Sequence, residues 1–229
     1  GNWNLTGNIA GKAKIKDLIV KGELVTKNNY IFNESIDSIV SDIKLENGVV
    51  SSTNLVGRKG PGEVLGRFAY SINDNILNFE TKIKNLNIHD FNYYNKLPLS
   101  LRSKVGGQIK GTFSDSDLSI ESDLKLTEST VFSNLYKDSR LSFKYNKERI
   151  YFFVDLFNEK ITSEGQYLLN SSQKQSFLNL DIKFDDVKRI LALLSGVDVN
   201  NSGIQGSLRY RLNTTFDSKA RRVLSINSN

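Results

Sequence analysis

The sequence predicts a mainly β fold: an elongated, strongly curved antiparallel sheet with one or two short helices. Three observations carry this. Apolar and polar residues alternate over long stretches, most cleanly where Leu118, Ile120, Leu124 and Leu126 fall on one face and Ser119, Glu121, Asp123 and Lys125 on the other, the period of a half-buried strand. Turn formers such as Asn47-Gly48 separate the alternating runs and mark hairpins. A glycine pattern also returns. Gly107-Gln108-Ile109-Lys110-Gly111-Thr112-Phe113 is echoed by Gly62-Glu63-Val64-Leu65-Gly66-Arg67-Phe68, by Gly7-Asn8-Ile9-Ala10-Gly11 and by Gly203-Ile204-Gln205-Gly206. Glycine inside a strand marks a bend, a bulge or a close approach, so the repeat reads as a set of bending points.

In chain order, Trp3 to Ile15 and Leu18 to Val25 read as a first hairpin, and Tyr30 to Phe32, Ile36 to Leu45 and Val49 to Leu55 continue the meander. Gly57 to Gly62 reads as a loop; it has no Gly-Lys-Ser/Thr ending and no following helix, so it is not a phosphate loop. Val64 to Ile72 and Ile76 to Leu86 form the next hairpin, with Leu77, Phe79, Thr81 and Ile83 on one face. Residues 88 to 95 lose the period of two and read as a short helix or turn. Strands resume at Val105 to Phe113 and turn at Ser114 to Asp117. Residues 127 to 140 are ambiguous, with a short connecting strand around Val131 and Leu135. Leu141 to Tyr145, Ile150 to Phe157, Ile161 to Leu169 and Phe177 to Phe184 follow. The segment from Ile150 is apolar on both faces, which predicts a covering element. Asp185 or Asp186 caps a helix carrying Val187, Ile190, Leu191 and Leu194 at helical spacing, with Gly196 past its end. Ile109 and Ile204 follow similar strand, helix and loop patterns 95 residues apart. The expected organisation is one β-groove domain over 1–229 or a fragment of a longer repeat protein, with units of about 1–61, 62–160 and 161–229.

The 229 residues include no cysteine, one histidine, two prolines and 38% hydrophobic residues, with a formal charge of +6. Absent cysteine excludes disulfides and thiolate chemistry. No apolar run approaches the length of a transmembrane helix, and any targeting or anchor segment is expected outside this chain. Lys12, Lys14, Lys16, Lys82, Lys84, Lys104 and Lys110 are scattered along strands rather than clustered, the pattern of a solvated sheet face. With no binding motif or basic helix, nucleic acid is not an expected partner.

Catalytic chemistry is sparse. His89 has no second imidazole and reads as a surface or capping residue. Asp115-Ser116-Asp117 lacks the further ligands of a calcium loop, Asp185-Asp186 suits a helix start, and no Gly-x-Ser-x-Gly elbow occurs. The expectation is a non-enzymatic protein with no cofactor and no metal.

Leu97-Pro98-Leu99 leading into Val105 to Phe113, and Phe184 to Leu194 leading into Ser202-Gly203-Ile204-Gln205-Gly206, together resemble the AsmA-like family of bacterial envelope proteins, which includes TamB. The resemblance covers about residues 62 to 215. It implies a β-taco, a groove with apolar interior and polar exterior, in the periplasm and anchored to the inner membrane by a segment not present in this chain. It also implies transport of phospholipid or another acyl-chain lipid between the membranes, with an outer-membrane barrel protein as a possible partner of a region beyond this fragment, and it supplies no catalytic residues.

From the alternation itself, Phe79, Ile83, Leu118, Ile120, Leu124, Phe143, Tyr145, Phe152, Val154, Leu180 and Ile182 are the candidate groove lining. The alternative is that the same residues pack against each other in a solenoid or sandwich, a structural or adhesive β-repeat acting through its outer face.

Overall fold

The computed structural model describes residues 2–11, 18–31, 33–92, 101–115, 117–131, 134–157, 161–169, 176–184, 188, 206–216 and 222–228. They form fifteen strands: β1 (Asn2–Gly11), β2 (Leu18–Ile31), β3 (Glu34–Glu46), β4 (Val49–Lys59), β5 (Gly62–Ser71), β6 (Ile76–Asn87), β7 (Leu101–Phe113), β8 (Leu118–Val131), β9 (Asn134–Tyr136), β10 (Ser139–Tyr145), β11 (Arg149–Leu156), β12 (Ile161–Leu168), β13 (Ser176–Phe184), β14 (Leu208–Phe216) and β15 (Arg222–Ser228). Strand order follows chain order from β1 to β15, with β9 set off the path on β8. The mainly antiparallel β fold is as the alternation predicts. Within the short helix or turn expected at 88–95, Ile88–Asp90 form a 3-10 turn and 93–95 lie outside the described residues; of the helix expected at 186–195, only Lys188 lies among the described residues.

Two compact units divide the chain: unit 1 comprises 1–95 and 105–120, unit 2 comprises 96–104 and 121–229.

In unit 1 the registers stack apolar residues into cross-strand rows on one face. Val64 pairs with Ile83, Phe68 with Phe79 and Tyr70 with Leu77, and the rows continue through Val50 opposite Tyr70 and Leu45 opposite Val50. The other face is charged, with Arg67 on Glu80 at 2.5 Å and Glu63 between Arg58 and Lys84. Asn47 and Gly48 both adopt positive φ, 52° and 74°, the two left-handed positions a tight hairpin turn requires.

β4 carries one residue more than either neighbour, since the register shifts both between Ser41 and Lys44 and between Ser52 and Leu55. The surplus falls at Thr53-Asn54, whose amides leave the ladder and donate to Asp42. The Asp42 carboxylate accepts from Thr53 N at 3.1 Å, Asn54 N at 2.8 Å, Thr53 Oγ1 at 2.8 Å and Ser52 Oγ at 2.7 Å. Hydrogen bonds from Ser52 above all, and from Thr53 and Asn54, hold its pKa below the ordinary 3.8 against a smaller opposing effect of burial. Bulges of this kind bend and twist the strand that carries them.

Two expectations for this region need correction. Tyr30 and Ile31 are not a separate strand but the end of β2, which passes through a left-handed Asn28, φ 54°. Gly57 to Lys59 is strand rather than loop. The turn is only Gly60-Pro61, and Gly60, at φ 54°, supplies the left-handed position.

In unit 2, Leu141 pairs with Val154, Phe143 with Phe152 and Tyr145 with Ile150. The rows extend through Phe152 opposite Gly165, Leu156 opposite Ile161, and Ile161 opposite Ile182, then Leu180 opposite Leu212. Asp123 pairs with Arg140 at 2.7 Å and Glu121 with Lys144 at 2.6 Å on the opposite, polar face. The ambiguous stretch 127–140 resolves into the continuation of β8 to Val131 and the short β9, with Leu135 exposed. Tyr136 and Phe157 form the buried apolar cluster, ring centroids 4.3 Å apart, and Leu101, Leu156, Ile161 and Ile182 pack against it.

Candidate functional site

Among the described residues only four apolar side chains are buried: Leu86, Leu126, Tyr136 and Phe157. All the other apolar residues in the rows of both units remain at least partly accessible. A face of this kind is apolar without being enclosed, and an exposed contiguous apolar surface marks a place where something else binds.

The registers sort the predicted lining. In unit 1, Phe79 and Ile83 share one face with Phe68, Val64 and Leu77; Leu118 and Ile120 are half-buried at alternate positions of β8. In unit 2, Phe143, Tyr145, Phe152, Val154, Leu180 and Ile182 all fall on a single face through consecutive registers. Leu124 belongs with them, because its neighbour Asp123 is committed to the polar face by Arg140. Phe143 is the most open of the set, 38% exposed. Sequence reasoning missed Phe68, Tyr70, Leu141 and Ile150 as lining; Phe68, Leu141 and Ile150 sit directly across a hairpin from the candidates Phe79, Val154 and Tyr145, whereas Tyr70 faces Leu77, which is outside the candidate set.

Glycine makes these faces smooth. A Cβ on Gly165 would lie 2.5 Å from the Phe152 ring, and one on Gly111 2.9 Å from the Phe79 ring. Each phenylalanine therefore lies across the glycine of a neighbouring strand, the arrangement by which an aromatic covers the gap a glycine leaves. At these two positions glycine serves close approach of a ring.

One end of the unit 1 face is covered. Leu86 lies over Gly62, where a Cβ would meet Leu86 Cδ2 at 2.2 Å, and the chain then continues through the 3-10 turn to Phe91 and Asn92. Lys59 Nζ donates to Ser35 O at 2.6 Å and Ser35 Oγ at 3.1 Å and lies 3.5 Å from Glu34 Oε2. Its ammonium sits 5.1 Å from the centre of the Phe91 ring, within cation–π range. No sequence signal pointed to this pair, which joins residues 25 apart.

On the polar face of unit 2 a hollow of about 340 Å³ is lined by Phe153, Glu164, Asn179, Asp181, Arg211 and Asn213 among others. The Arg211 guanidinium, 2.9 Å away, is the largest influence holding the Asp181 carboxyl below its ordinary pKa. Burial, with the nearby Glu164 carboxylate that accepts its hydroxyl at 2.9 Å, raises the pKa of Tyr151. Phe153 and Tyr151 thus account for the double-sided apolar character of β11: the second side is this partly polar surface, and no covering element appears on it among the described residues.

Among the described residues the candidate catalytic and metal-binding groups stand apart from one another. His89 Nε2 is 3.5 Å from Asp90 Oδ1 and its side chain is 44% exposed. Asp115 accepts from Asn75 at the tip of a turn. Among the described residues no group of three or more His, Cys, Asp or Glu could hold a metal ion, and no helix is long and apolar enough to cross a membrane. Asp185-Asp186 lies outside the described residues.

No family model, curated protein or solved structure matches this chain.

Proposed function

We propose that this chain is a lipid-binding domain whose apolar sheet faces shield acyl chains, and that it serves the movement of phospholipid between the membranes of a bacterial envelope. The observation that supports it is the registered stack of half-exposed apolar side chains on one face of each unit, Phe68 with Phe79 in one and Phe143 with Phe152 in the other. An acyl chain laid on such a face removes apolar surface of both partners from water, at about 0.8 kcal/mol per buried methylene. The envelope setting, the inner-membrane anchor and an outer-membrane barrel partner come with the AsmA-like resemblance of the sequence. The reading requires no catalytic group.

The test is native mass spectrometry of the purified chain, with and without prior incubation with phosphatidylethanolamine vesicles. Bound phospholipid is expected, and Phe152→Glu, which puts a charge into the unit 2 face, is expected to abolish it in that unit while the far-ultraviolet circular dichroism is unchanged. A protein that carries no lipid and takes none up sinks the proposal.

A second reading, a structural or adhesive repeat acting through its outer face, is favoured by one observation, the polar hollow beside Arg211 and Asp181. It is the reading that a lipid-free protein would support.

A further inference from the structure

We propose that the segment Asn87 to Asn92 is a stopper at one end of the unit 1 face and sets the length of acyl chain that the face accepts. The inference rests on the lipid reading above and adds to it a direction and a length limit.

The segment starts on the apolar side of the sheet. Gly62 shares its face with Val64, Gly66 and Phe68 by strand alternation, and Leu86, only 8% exposed, lies directly over it. From there the chain crosses the strand ends. Asp90 Oδ2 comes within 3.1 Å of where a Gly60 side chain would begin, Phe91 covers the Lys59 ammonium, and Asn92 reaches the start of β3. There its amide donates to Glu34 Oε2 at 2.9 Å and its side-chain Nδ2 donates to Asn33 O at 2.6 Å. Two internal bonds keep the segment compact: Asn87 Nδ2 to Asp90 Oδ2 at 3.0 Å and Phe91 N to Ile88 O at 3.2 Å.

The anchor points are unusually dry for charged groups. Lys59 is 6% and Glu34 9% exposed, yet the ammonium has three oxygen partners for its three donors, and the carboxylate also accepts from Asn92. A buried ion pair with its hydrogen bonds filled fixes geometry more than it adds stability. Here what it fixes is a lid residue, Phe91, over the end of an apolar row. Beyond the stopper the row runs from Val64 to Tyr70, six residue steps or about 20 Å along the strand, and ends at the polar turn holding Asn75 and Asp74, where Tyr70 donates to Asn75 Oδ1 at 2.6 Å. An acyl chain on this face therefore has its headgroup at the Asn75 end and its methyl end against Leu86 and Phe91.

The experiment offers the full chain an equimolar mixture of lauroyl, palmitoyl and arachidoyl lysophosphatidylcholine and reads the bound lipids by native mass spectrometry. The unaltered chain is expected to favour palmitoyl over lauroyl and to gain nothing from the longer arachidoyl chain. Phe91→Ala should raise the arachidoyl to palmitoyl ratio on the order of tenfold, the effect of burying about two more methylenes at about fourfold each. Asn92→Ala, at an exposed position that loosens the same segment, should shift the ratio the same way and guards against a folding defect in the first variant. Lipid binding with an unchanged length preference in both variants overturns the stopper alone. Failure of the unaltered chain to bind any of the three overturns the stopper together with the lipid reading.

Discussion

In unit 1 the end of the apolar face is closed by a segment pinned through a buried ion pair, Lys59 with Glu34. In unit 2 the end row Leu156, Ile161 and Ile182 instead packs under two aromatic rings, Tyr136 and Phe157, inclined at 38°. The two closures differ in kind. An aromatic cluster gains free energy from area removed from water and tolerates small displacements. A buried ion pair spends much of its Coulombic gain on desolvation and in return tolerates only one geometry. Unit 2 is thus closed by the device that stabilises most, and unit 1 by the device that positions best.

Truncation should separate them. Phe157→Ala removes half of the unit 2 cluster, and the expected loss is about 4 kcal/mol, the usual cost of emptying a buried phenylalanine site. It is measured by urea denaturation followed by circular dichroism. A loss under about 1 kcal/mol would mean the cluster is not the closure it appears in the packing. Lys59→Met in unit 1 should cost about 3 kcal/mol, because Glu34 is left charged and buried, and Lys59→Met with Glu34→Leu should recover part of it. Both are measured by urea denaturation followed by circular dichroism. A double variant as unstable as the single one would contradict the assignment of the cost to the carboxylate that has lost its ammonium partner.

The smallest expected effect concerns Asp42, which organises the surplus residue of β4. Asp42→Ala should cost about 1 kcal/mol, the scale of a charge-assisted hydrogen bond reduced for an exposed site. Its pH dependence has a definite sign. The folded-state pKa is lowered from 3.8, so the contribution is complete above the unfolded value and is lost as pH falls through the lowered one. The stability gap between the two proteins should therefore close on acidification below about pH 3.8. A gap that persists at lower pH would point to the backbone of Thr53-Asn54 rather than to the carboxylate.

Sequence pattern revealed the strands and one face of each because alternation is local: Leu77, Phe79 and Ile83 declare their shared side within one strand, and Asn47-Gly48 declares its turn within two residues. The places it misjudged are those where the deciding contact is distant. Gly57 to Lys59 looks like loop until Lys59 is seen buried against Ser35 and Glu34, and nothing near Asn92 announces that its amide serves a carboxylate 58 residues earlier. The surplus residue of β4 was equally hidden, since a bulge is a mismatch between two strands and cannot be seen in either alone. The glycine repeat reads as a set of bending points, yet at Gly111 of that repeat the space is occupied by a ring, as it is at Gly165.

From β1 to β6, and again from β10 to β15, every ladder joins strands that are consecutive in the chain. Most contacts in these stretches therefore close short loops, which cost little entropy, and a β protein wired in this way has a lower contact order than a Greek key of the same size. Each stretch can begin to form at any hairpin and grow by adding the next strand, so its stability approaches a sum of neighbour terms, as in solenoid repeats. Such a sheet yields from its terminal strands inward, a graded loss in place of a single cooperative collapse.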